Sequence, residues 1–197
     1  MKKLLLTTIC LFAICFSYAQ TNETNTEQHL KFKGIAIDGT PNEFGSKLQN
    51  AGFSYSYKDE GTYYYEGSFA GYDNCKIIVK STNNLVHEVV AIFPKDYSWG
   101  HLHNTYSSLK DMLTTKYGKP EGKEIFENTP TYVNISDDND KYREVGYNRC
   151  NYYSVFTSIL DGWGTIVLEI KSAHCVGIHY IDFYNEQKKK SSAINDL

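Results

Sequence analysis

The sequence predicts an α+β fold: two tandem α-β-β-β-β units forming an antiparallel sheet with helices packed on one face. Three observations predict it. Two segments carry apolar residues at helical spacing between capping residues. Each is followed by short alternating runs separated by turn residues. A gapless offset of 91 residues places Cys75, Ile77, Val79, Val90 and Ile92 on Ile166, Leu168, Ile170, Ile181 and Phe183. The same offset places Lys80-Ser81 on Lys171-Ser172, as an internal duplication would.

The elements follow in order. Met1-Lys2-Lys3 is a positive start, Leu4 to Phe16 an apolar run, and Ser17-Tyr18-Ala19 supplies small residues for cleavage before Gln20. Residues 1–19 are therefore expected to be a signal peptide. Ile9 and Ile14 precede Cys10 and Cys15 where a lipoprotein signal would need a small residue. Residues 20–29 are polar and read as a flexible lead-in.

The first unit spans 30–97. Leu30 to Ile37 is strand-like, and Asp38-Gly39 turns the chain. Thr40-Pro41-Asn42-Glu43 starts a helix, with Thr as N-cap, Pro at the first position and Glu at the third. Phe44, Leu48 and Ala51 form its apolar stripe, and Gly52 ends it. Strands are expected at Phe53 to Tyr57, Thr62 to Ala70, Cys75 to Lys80 and Leu85 to Phe93. In the run Tyr63-Tyr64-Tyr65, alternation sends Tyr63 and Tyr65 inward with Phe69, and Tyr64 outward with Glu66 and Ser68.

The second unit spans 98–187. Ser98 caps a helix whose stripe is Trp99, Leu102, Tyr106, Leu109, Leu113 and Tyr117, and Gly118 with Pro120 terminates it. Glu121 to Arg149 reads as partly irregular, with Asp137, Asp138 and Asp140 on a solvated loop. Strands resume at Asn151 to Ile159, Thr165 to Lys171 and Val176 to Tyr184, with a turn at Asp161 to Gly164. Residues 188–197, opening with three lysines, read as a disordered tail. The expected core joins Phe44, Leu48, Leu102, Leu109 and Leu113 to Ile77, Val79, Val90, Ile92, Leu168, Ile170, Ile181 and Phe183.

This order of helix then strands, taken twice, resembles the β-lactamase-inhibitor-protein type of fold. The small outer-membrane assembly lipoproteins of the SmpA/OmlA type use one related unit. Lys33 to Gly39, Phe69 to Tyr72 and Thr115 to Pro120 also resemble phrases of uncharacterised exported bacterial proteins. The resemblance implies a non-catalytic protein presenting a sheet face to another macromolecule. The chain departs from it in having no lipid-attachment cysteine and no cysteine pair within each unit.

The chain has 197 residues and a formal charge of −3; loss of the signal would leave 18 basic against 23 acidic residues. That charge argues against nucleic acid as a partner. No membrane span is expected, since the apolar leader is shorter than the roughly 20 residues that cross a bilayer. Catalytic chemistry finds no support in the motifs. His87-Glu88 lacks the second histidine of a zinc-protease helix, since Ala91 stands there. Cys175 and His179 would lie about 13 Å apart on a strand. His101 and His103, two apart on a helix, face differently. No cofactor, metal or catalytic residue is therefore expected.

The unusual feature is 17 tyrosines, which suit either half-buried sheet or a binding surface. The candidate ligand-binding residues are Tyr64, Glu66 and Trp163, and the expected partner is an extracytoplasmic protein or a glycan. The functional expectation is a secreted or periplasmic binding protein using a tyrosine-rich sheet surface. The alternatives are a hydrolase acting on envelope or other polymer, and a structural envelope component.

Of the cysteines left after cleavage, Cys150 and Cys175 are the candidate disulfide, with Cys75 as the competing partner. Pairing Ile159 with Thr165 across the turn places Cys150 opposite His174, one residue from Cys175.

Overall fold

The computed structural model describes residues 29–126, 135–158 and 162–195. The expected signal peptide and almost all of the lead-in lie outside them. The chain opens with a small hairpin, β1 (Lys31–Phe32) and β2 (Ile35–Ala36), so the expected single strand folds on itself at Lys33-Gly34. Helix α1 (Pro41–Asn50) follows, and Thr40 and Glu43 form the expected capping box. The Glu43 carboxylate accepts the Thr40 N–H at 2.9 Å, and the Thr40 hydroxyl accepts the Glu43 N–H at 3.3 Å. Then come β3 (Ser54–Asp59), β4 (Thr62–Phe69), β5 (Tyr72–Thr82) and β6 (Leu85–Ile92).

Helix α2 (Trp99–Tyr117) starts at its Ser98 cap and ends at Gly118, which adopts the left-handed φ of 86°. After it come β7 (Glu121–Ile125), α3 (Asp138–Gly146), β8 (Asn151–Ser158), β9 (Gly164–Lys171), β10 (Cys175–Asp182) and α4 (Phe183–Asn195).

The eight long strands form one antiparallel sheet in the order β3-β4-β5-β6-β10-β9-β8-β7. Consecutive strands are neighbours within each half, and the halves meet only where β10 pairs with β6. Helices α1 and α2 pack on one face of this sheet. Phe44, Leu48, Leu102 and Leu109 bury there against Ile77, Val79, Ile166 and Leu168. The Tyr106 hydroxyl reaches the Ser154 hydroxyl at 2.7 Å inside this core, tying α2 to β8. Helix α3 packs against α2.

Three expectations about elements are corrected. Asp137 to Asp140 is not a loop: Asp137 accepts the Asp140 N–H at 2.9 Å and caps α3, so the acidic residues sit at the helix end that favours negative charge. Part of the expected irregular stretch is an exposed edge strand, β7. The expected tail is largely helical, since α4 runs from Phe183 to Asn195 and is seeded by the buried Asp182, which accepts the Asn185 N–H at 2.8 Å.

The expected core is right for β5 and β9 and wrong for parts of β6 and β10. Val79 pairs with Val89 and Ile77 with Ala91, which puts Val89 and Ala91 on the helix face. Val90 and Ile92 therefore face the other way, as does Ile181 opposite Glu88. Val90 is buried nonetheless, Ile92 and Ile181 are half-buried, and Phe183 is exposed in the first turn of α4. A bulge in β6 at His87, where the partner register slips between Lys80 and Ser81, obscures the alternation.

Cys75, Cys150 and Cys175 are all unbonded. The turn between β8 and β9 closes on Ser158 and Gly164, so Thr157, not Ile159, faces Thr165. This moves Cys150 away from the expected partner. Cys150 packs against the helix-face core, whereas Cys175 pairs with Lys171 at the parity of the other face, on a strand that β9 separates from β8.

Candidate functional site

The second face of the sheet carries the side chains that chemistry could use. Of the described helices only α4 borders it; α1 and α2 lie opposite. On β3 and β4, Tyr57 and Tyr64 pair across the strands and stack, with ring centroids 4.3 Å apart and planes at 11°. Tyr57 is 52% exposed. Glu66, two residues on, stands exposed between Ser54 and Lys76 on the neighbouring strands. Tyr63 and Tyr65 turn to the helix face as alternation requires, and Tyr65 is buried. Expected candidates Tyr64 and Glu66 are thus brought together.

Trp163 is not with them. It precedes β9, four strand spacings or about 19 Å across the sheet from β4. Its exposed ring lies 4.7 Å from that of Phe183 and 6.0 Å from Tyr184, at the start of α4. Beside this cluster, a groove of about 610 Å³ runs between α4 and the sheet. Glu88, Thr165 and Ile181 form its floor, and Phe183, Glu186 and Lys189 line its wall.

A chain of charges crosses the middle of the same face. Lys80 on β5 donates to both oxygens of Glu88 on β6, at 3.1 and 3.0 Å. Glu88 Oε1 meets His179 Nδ1 on β10 at 2.6 Å. His179 Nε2 meets Glu169 Oε1 on β9 at 3.0 Å, and Lys171 pairs with Glu169. The contacts are diagonal. Glu88 is directly opposite Ile181 and Glu169 opposite Gly177, so each carboxylate leans by two residues toward His179. Gly177 leaves space for the Lys171 stem, whose Cε would lie 2.8 Å from a Cβ there.

The electrostatics follow from this geometry. Burial would raise the Glu88 pKa, but bonds from His179 and Lys80 hold it down at about 2. The His179 bond, against burial and with help from Lys171, holds Glu169 at about 2 as well. Burial works against a charge on His179, yet the two carboxylates outweigh it and raise its pKa. Glu88 and Glu186 are carboxylates of one groove, but Glu88 is fixed in its ionised form and is ill suited to donate a proton near neutrality. Among the described residues no cluster of three or more His, Cys, Asp or Glu is placed to hold a metal ion.

Spacing along its own strand relates His179 only to Cys175 and His174, and its partners on β6 and β9 are not legible from it. A signal was present: the 91-residue offset carries Lys80 onto Lys171 and Glu88 onto His179. The diagonal contact to Glu169 needs the register between β9 and β10, which pattern alone does not supply.

Comparison with protein families, with curated proteins and with solved structures returns no match.

Proposed function

We propose that this is an exported, non-catalytic binding protein, secreted or periplasmic, that engages an extracytoplasmic partner through the face of the sheet opposite α1 and α2. The observation that carries the reading is the breadth of that face together with the stacked Tyr57–Tyr64 pair on its β3–β5 side. Eight strands are seven spacings, about 34 Å across. With strands of some 20 Å, the face spans roughly 700 Å² including the part that α4 borders over Glu88, Thr165 and Ile181, so the open remainder is the size of a small protein interface. Rigid tyrosines at such a face provide contact area at small entropic cost.

The tandem-unit reading has support in the sheet order, which runs outward from the β6–β10 seam with one helix before each set of four strands. The offset of 91 carries buried Cys75, Ile77 and Val79 on β5 to buried Ile166, Leu168 and Ile170 on β9. Such an arrangement is compatible with the inhibitor-protein type of fold. The signal-like leader supports export, which N-terminal sequencing of mature protein beginning at Gln20 would test.

The docking reading is tested by site-specific photocrosslinking in cells. Crosslinkers at Tyr64 and Lys76 on this face, and at Lys47 on α1, are compared. Adducts of one size from the first two and none from Lys47, abolished by Tyr57→Ala, are expected. Equal crosslinking from all three positions would overturn it. The hydrolase reading rests on Glu88 and Glu186 sharing a groove, and is the weaker because Glu88 is held ionised.

A further inference from the structure

The contacts of His179 have a requirement of their own. Both ring nitrogens point at carboxylate oxygens, Nδ1 at Glu88 and Nε2 at Glu169. An ionised carboxylate only accepts hydrogen bonds, and a neutral imidazole has one donor and one acceptor nitrogen. A neutral ring would thus set one lone pair against a carboxylate at 3.0 Å or less. Only the imidazolium satisfies both contacts.

Position gives this proton its consequence. β10 and β6 form the single strand pair that joins the two halves of the sheet, and the His179–Glu88 bond crosses that seam. The His179–Glu169 bond continues into the second half. We propose that His179 is a proton-operated clasp: its imidazolium bridges Glu88 and Glu169 to lock the seam between the two halves of the sheet, and loss of the proton releases one of the carboxylates onto the open face.

Charged groups on every side shape the clasp. Glu88 and Lys80 face it from β6 and β5, and Glu169 and Lys171 from β9. Lys76 lies on the same face beyond Ile92. On α4, Glu186, Lys189 and Lys190 border the groove that Glu88 floors, and His87 turns toward Glu186 at 3.4 Å. The lysines beyond each carboxylate keep both carboxylates ionised, so the shared proton resides on the ring. The clasp formally carries one positive charge at its centre, between two ion pairs, and becomes neutral there when the proton leaves.

The sign of the pH effect is fixed. His179 has a raised pKa in the folded protein, so its contribution is complete below the unfolded value of about 6.5 and fades as pH rises through the folded value. The test is nitrogen-15 NMR of the histidine rings in the mature chain, assigned with His179→Gln. Both His179 nitrogens are expected to be protonated at pH 6, with a midpoint above the ordinary value of about 6.5. In parallel, the thermal midpoint of the wild type should exceed that of His179→Gln by about 5 °C at pH 6, the gap closing as the ring titrates. A neutral tautomer at pH 6, a midpoint at or below about 6.5, or a gap that stays constant from pH 6 to pH 10, would overturn the proposal. If the variant does not fold, the wild-type ring signals, assigned by through-bond correlation, decide alone.

Discussion

The Leu30 N–H donates to the Asp182 carboxylate at 2.7 Å, joining the segment before β1 to the last residue of β10. The same carboxylate meets His29 Nδ1 at 3.0 Å and caps α4 through the Asn185 N–H. Asn185 then donates to the carbonyls of Ile37 and Val86. Asp182 is fully buried, so its removal strands several polar groups at once. Asp182→Ala should cost about 3 kcal/mol in urea unfolding. It should also expose α4 to proteolysis before the sheet unfolds. A loss under half a kcal/mol would mean that the segment before β1 and the start of α4 are docked independently of this carboxylate.

Gly45 on α1 marks a close approach of a helix to the sheet. A Cβ there would lie 2.0 Å from the Tyr65 hydroxyl oxygen, and Tyr65 is buried on β4. Alanine is the better helix former by about 1 kcal/mol, but overpacking against a confined ring costs about 1–3 kcal/mol. The clash should win, and Gly45→Ala should destabilise. Gly100 in α2 has nothing within 4 Å of its Cβ position, so Gly100→Ala should be neutral or stabilising by up to about 1 kcal/mol. Opposite signs in paired denaturation curves are the expected result.

Facing residues can be checked the same way. Leu168 is fully buried beneath the helices, and Leu168→Ala should cost about 2–5 kcal/mol. Ile181, half-buried on the other face, should cost less than half as much when cut to alanine. Equal losses would mean that the second face is covered as completely as the first.

These two residues also show what the sequence reveals. β9 alternates without a break, so Leu168 is placed correctly from pattern alone. In β6 the bulge at His87 and apolar residues on both faces erase the period of two, and Ile181 inherits the wrong face through the offset. The capping box of α1 is legible because its bonds are local. Helix α4 is not, because its start depends on Asp182 being buried by a segment about 150 residues away. The outward direction of Tyr64 is likewise legible from local alternation, whereas the charges around His179 come from three strands other than its own.

Stability should also fall at the acid end, for a reason separate from the proton on His179. Glu88 and Glu169 have folded pKa values near 2, depressed from about 4.5. A depressed carboxylate contributes fully above its unfolded value and loses that contribution as pH falls through the folded one. The expected window is therefore pH 4.5 down to pH 2. Both carboxylates hold the same imidazolium, so their contributions overlap, and the joint loss should be about 2–3 kcal/mol. Glu169 is a third exposed and screened by solvent, so it supplies the smaller part. Glu88→Gln removes the charge without removing the side-chain volume. Its unfolding free energy should lie below that of the wild type at pH 6 and approach it by pH 2. Parallel curves for the two proteins across that window would show that Glu88 is not held ionised by Lys80 and His179, and the charge chain across the sheet would lose its physical basis.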